Sequence, residues 1–254
     1  MAQGETKESE MTFWDHLEEL RGVLIRSAIV LVALFVVLFF FKSFIFDDIV
    51  LAPTHSDFWL YKLLGIDFGV KLINIDVTAQ FFIHMRVTLI AAIIVCFPFL
   101  CYELWSFIAP ALYKNEKKAI KGAFAFGSVL FYMGAAVGYF IVMPLVMYFF
   151  SGYQVSDSVE NTFALGSYIS IFTSMVLLMG ILFEFPSVIV VLSKLGLVGK
   201  DTLRKYRKHA VVAVLVVAAI LTPTGDPFTM LVVALPLYLL YEFSIMICKD
   251  DIDR

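Results

Sequence analysis

Charge is scarce in this 254-residue chain: Asp, Glu, Lys and Arg make up 16% of it, and the formal net charge is only −3. A soluble domain carries roughly 25% charged residues. Cysteine is scarcer still, with three in all, Cys96, Cys101 and Cys248, no two of them spaced as CxxC. That argues against a disulfide framework or a metal site. The chain has no polar linker run, no low-complexity tract and no internal repeat. It lacks a P-loop, a glycine-rich nucleotide fingerprint and a G-x-S-x-G elbow, and HLEEL (His16–Leu20) misses the second histidine of H-E-x-x-H. An ATPase is excluded on motif grounds, and the chain reads as a non-enzyme without cofactors. Any energy it uses must come from a membrane gradient or from partners, and nothing in it points to nucleic acid.

What it has instead is apolar length. Hydrophobic residues make up 61% of the sequence, and the mean hydropathy is +0.91. Five runs at 23–41, 79–101, 122–150, 166–193 and 229–248 reach the ~20 residues that a helix needs to cross a bilayer. A sixth, at 210–221, is strongly apolar but only about 18 Å long as a helix. A span so short thins the bilayer beside it or sits next to water. Counting it gives six spans and one transmembrane domain over 1–254, with no room for a separate soluble domain. Segments 1–22, 102–121, 194–209 and 249–254, with Arg26, hold fifteen of the nineteen Lys and Arg. Segments 42–78, 151–165 and 222–228 hold three, against eight acids. The positive-inside rule therefore predicts cytoplasmic N- and C-termini. Five glutamates and an aspartate in the first 22 residues are unlike a cleaved leader, so the mature chain is expected to begin at Met1.

Within the fourth run stands one carboxylate, Glu184, two residues before Pro186. An acid midway along a span costs at least ~2.5 kcal/mol, so water or a partner must face it. Pro186 removes a backbone donor and bends the helix beside the charge. Glu184 is then either a structural polar pair or a working site within the membrane. Arg86 lies inside the second run and either snorkels outward or pairs with Asp76 or Asp226. Pro98 and Pro110 are expected to interrupt the helix there. Glycines 127, 134 and 138 permit close helix approach in the third run. The basic run Arg204–Lys208 suits anionic lipid. Segment 42–78, with interfacial aromatics such as Trp59 and Tyr61, is expected to cap the bundle outside.

Four short patterns are more specific: FWDHLEELR at 13–21, FIAPALYKNE at 107–116, FEFP at 183–186 and LTPTGDPF at 221–228. With them the chain resembles the TatC family of twin-arginine translocase components over nearly its whole length. The resemblance implies an all-α polytopic protein of the cytoplasmic (inner) membrane, folded as a concave, cup-like bundle of six helices. It implies a core receptor that binds the twin-arginine signal peptides of folded cargo at its cytoplasmic face. Export would then be nucleated with small single-span TatA/TatB-type partners in an oligomeric complex, among membrane lipids. Glu19 and Glu116 are implied as the signal-binding carboxylates, with Arg21 in the same signature and Phe107 lining the same surface. Pro53 matches a proline of the outer cap, Asp226 the acid of an outer turn, and Glu184 a glutamate that meets a partner. Three positions depart from common family forms: Glu103 replaces glutamine, Asn115 histidine and Met230 glutamine. Glu103 shares a helix face with Phe107 and either adds a third carboxylate there or balances nearby lysines. A proton-coupled small-molecule transporter using Glu184 and Arg86 is the alternative, against which stands the lack of an inverted repeat.

Overall fold

A computed structural model describes residues 13–108, 114–156, 158, 161–222 and 225–248, with the side chains of Phe13, Asp15, residues 114–121 and Leu221 outside the description. Helix α1 (Phe13–Phe39) runs without interruption from the first motif into the first apolar run. Helix α3 (Ala79–Ile108) packs along it. Between them a compact segment holds a π turn (Phe44–Val50), a 3-10 turn (Ala52–Thr54), the short helix α2 (Trp59–Leu64) and strand β1 (Leu72–Ile73). Helix α4 (Lys114–Val137) passes through a π turn (Gly138–Val142) into α5 (Met143–Gly152). Strand β2 (Phe163–Ala164) then leads to α6 (Leu165–Leu182) and α7 (Phe185–Lys194). The chain ends in α8 (Lys200–Lys205), α9 (Arg207–Leu221) and α10 (Pro227–Ile247).

Among the described residues, five stretches are long and apolar enough to cross a membrane: His16–Phe39, Ala79–Ile108, Gly122–Gly152, Leu165–Lys194 and Pro227–Ile247. They fall on the five full-length runs read from hydropathy. Helix α9 has 15 residues, about 22 Å, against a hydrocarbon core of ~30 Å. Pro98 is a correction to the sequence reading, because α3 continues straight through it. One missing N–H does not end a helix whose flanking turns are held by apolar packing on both sides. Pro110 lies outside the described residues.

Two of the three hydrophobic clusters among the described residues join most of the bundle. In the first, the segment between α1 and α3 folds onto α5 and α6, burying Val50, Tyr61, Met143, Met147 and Tyr168. Tyr168 donates to Val50 O at 2.6 Å, and β1 pairs in parallel with β2, Leu72 against Phe163. The second core joins α4, α6, α9 and α10 through Leu130, Met175, Met179, Ala218 and Val233. Helices α4 and α6 touch backbone to side chain: a Cβ on Gly134 would collide with Met179 O and the Phe183 ring. Small residues permit such an approach, and dispersion then holds the pair together in lipid.

Candidate functional site

The first site is built where α1 begins and α3 ends. His16 and Phe107, from two motifs far apart in sequence, stack with ring centroids 4.3 Å apart. Further along the same helix pair, Arg26 forks onto Glu103 across 77 residues of sequence: Nε lies 3.0 Å from Oε1, and Nη2 lies 2.6 Å from Oε2. This bidentate geometry is the strong form of the ion pair. Glu103 is buried, whereas the Arg26 side chain is half exposed. Among the described residues, then, the cation that balances Glu103 is Arg26 on α1. Glu19 stands two turns before Arg26 and acts on the same guanidinium through its charge. Its Oε2 is enclosed without a hydrogen-bond partner among the described residues. Arg21 is exposed. The side chain of Glu116, on the first turn of α4, lies outside the described residues.

Sequence reasoning counted Arg26 only as a charge on one membrane side. Its position seven residues after Glu19, on one helix face, was the available signal for a role at the site.

The second site is the break between α6 and α7. Glu184 occupies the position before α7, with Pro186 in that helix's first turn, where a missing N–H costs least. The carboxylate faces α4. A Cβ on Gly127 would stand 2.5 Å from Glu184 Oε2 and 2.8 Å from Ser187 Oγ, so a glycine there makes the space. Ser187 Oγ, next to that carboxylate, donates to Ala123 O at 3.2 Å. The second oxygen, Oε1, is buried with no partner among the described residues. Beside this break Pro98, Cys101, Tyr102, Trp105, Phe124 and Ser128 border a cavity of about 320 Å³.

The remaining sequence candidates lie apart from both sites. Pro53 is buried in the 3-10 turn, and its carbonyl accepts from Tyr61 Oη at 3.0 Å. Tyr61 also lies 3.3 Å from Pro144 O, and burial holds its phenol well above its ordinary range, so it stays a donor. Asp226 caps α10, its Oδ1 accepting from Thr229 N at 2.7 Å. Met230 is half-buried and packs against the second core. Arg86 is exposed and lines a groove with Leu31, Val32, Phe35 and Phe82; among the described residues it makes no ion pair.

Long apolar helices that carry few charged side chains define the class: a multi-pass α-helical membrane protein. The comparisons narrow it further. The family model for the Sec-independent protein translocase protein TatC matches residues 15–236, and the chain belongs to that family. A TatC from Blattabacterium sp. subsp. Periplaneta americana (strain BPLAN) is 38% identical, over 95% of this chain and 96% of its own length. That of Escherichia coli (strain K12) is 33% identical over 92% and 86%. A crystal structure of a twin arginine translocase receptor, TatC, in DDM superposes with a TM-score of 0.76 at 34% identity, covering 92% of this chain and 99% of that one. The chain is thus a protein translocase component of the TatC family.

Proposed function

We propose that this chain is the receptor core of a twin-arginine translocase in the inner membrane, one transmembrane domain of six spans with both termini cytoplasmic. The observation that carries the reading is the His16–Phe107 stack, which draws the first two motifs to one end of one helix pair. In this reading that end faces the cytoplasm, with Glu19 and Glu116 the carboxylates that grip the arginine pair of a signal peptide. A guanidinium presents a planar fork that a carboxylate matches bidentately. Each such bond contributes roughly 1.5–3 kcal/mol, which suits reversible capture. Arg21 and Phe107 line the same surface, and Glu103 stands beside it, occupied by Arg26. Glu184, enclosed at the helix break with one oxygen to spare, is the place where a polar residue of a single-span TatA/TatB-type partner would dock. The Arg204–Lys208 run rests on anionic lipid.

Helix α9 supports a thinned membrane on this reading. Its first residue, Arg207, pairs with Glu242 at 2.7 Å, five residues before the end of α10. That pairs the first residue of α9 with α10 short of that helix's end, not beyond it.

A pull-down of the detergent-solubilised chain on an immobilised twin-arginine signal peptide tests the receptor. Glu19→Ala with Glu116→Ala should abolish retention, and a double-lysine peptide should bind at least about tenfold more weakly, because lysine keeps the charge but loses the fork. Equal retention of wild type and double variant would favour the other reading, a proton-coupled transporter working through Glu184.

A further inference from the structure

Three charges stand in a row at the first site: Glu19, Arg26 and Glu103. Side chains on an α-helix lean toward its N-terminus, so Arg26 lies back along α1 over Gly22 and toward Glu19. Gly22 leaves the room: a Cβ there would stand 3.2 Å from Arg26 Nη1. The opposite edge of the guanidinium forks onto Glu103. The two partners differ in freedom. Glu103 is 4% exposed and fixed among its neighbours, whereas the Arg26 side chain is 53% exposed and can swing. Among the described residues a second acid, Glu19, stands one turn before Gly22 on the side to which Nη1 points, and its enclosed Oε2 has no hydrogen-bond partner there. One guanidinium fork satisfies one carboxylate bidentately at a time, so Arg26 has two possible partners.

We propose that Glu103 is a positioning residue that holds Arg26 away from Glu19, keeping Glu19 open to a guanidinium from another molecule. Arg26 is the same chemical group as the ligand proposed above, tethered at an effective concentration no free peptide reaches. Left alone it would occupy Glu19. Glu103 retains it because that pair is bidentate and its carboxylate is buried under the guanidinium, where no water competes for the acid. The two residues are therefore a matched set: Glu103 without Arg26 is a buried unpaired charge, and Arg26 without Glu103 is a plug. This inference rests on reading Glu19 as a receptor carboxylate.

The test uses the full chain in detergent and a synthetic peptide carrying an arginine pair. Glu103→Gln should weaken binding about tenfold or more, since the freed Arg26 closes on Glu19. Adding Arg26→Gln to that variant should return affinity to within about threefold of wild type. A double variant that binds as weakly as Glu103→Gln would overturn the proposal, because Glu103 would then serve the ligand or the fold directly. A second readout needs no peptide: the thermal coupling between positions 19 and 26. It should be small with Glu103 present and should grow clearly in the Glu103→Gln background. Coupling that fails to grow also overturns the proposal. If coupling grows while Glu19→Ala binds peptide like wild type, the partner exchange stands and the receptor reading falls.

Discussion

At the scale of single residues, three acids within the apolar helices each have specific neighbours, whereas Arg86 stays exposed. Glu103 has a guanidinium, Glu242 has Arg207 and the Tyr238 hydroxyl, and Glu184 has a serine together with space made by a glycine. The Glu184 solution is the least complete, since one oxygen stays enclosed without a partner among the described residues. Gly127→Ala puts a methyl group 2.5 Å from the other oxygen, which must move. We expect a loss of about 1–3 kcal/mol from overpacking, read as a lower thermal midpoint in detergent. We also expect weaker crosslinking of a single-span partner to a cysteine at position 188, exposed one turn after Glu184. Undiminished stability and crosslinking would mean that Gly127 does not shape the pocket. The sequence showed that Glu184 needs a partner, because its cost follows from being an acid in an apolar run. It could not show which helix supplies the space.

At the scale of elements, caps and breaks decide where helices stop. The turn between α9 and α10 uses Gly225 in the left-handed region, at φ 60°, and then Asp226 as the cap of α10. Asp226→Ala should cost about 1 kcal/mol through the lost Thr229 N–H bond, with Asp226→Asn nearly neutral. Thermal unfolding of the two variants checks this; equal losses would show that charge rather than capping matters. The pattern LTPTGDPF announced a turn, since glycine and proline act locally. Pro98 shows the limit of that logic. A proline blocks one hydrogen bond, but whether a helix ends there depends on what packs around it, and α3 is held on both sides of the residue.

For the whole molecule, five full-length spans and one short helix leave a bundle of uneven depth. If α9 crosses the membrane, as proposed, the lipid beside it must thin or water must enter. Cysteines placed singly at Gly152, Asp226 and Lys200 should sort by a membrane-impermeant thiol reagent on intact cells. Positions 152 and 226 should react from outside and position 200 only after permeabilisation. Labelling of position 200 in intact cells would overturn the six-span topology.

By itself the sequence determined that this is a membrane protein, where its five long spans run and to which family it belongs. Transfer from water to lipid adds up over contiguous residues, so a run of about twenty apolar side chains commits a segment to the bilayer whatever surrounds it. Only the tertiary structure decided the partner of each charge. Arg26 and Glu103 are 77 residues apart, and no local pattern says that one will grip the other. An ion pair lives or dies on a few tenths of an ångström between elements, a distance set only when the helices have packed.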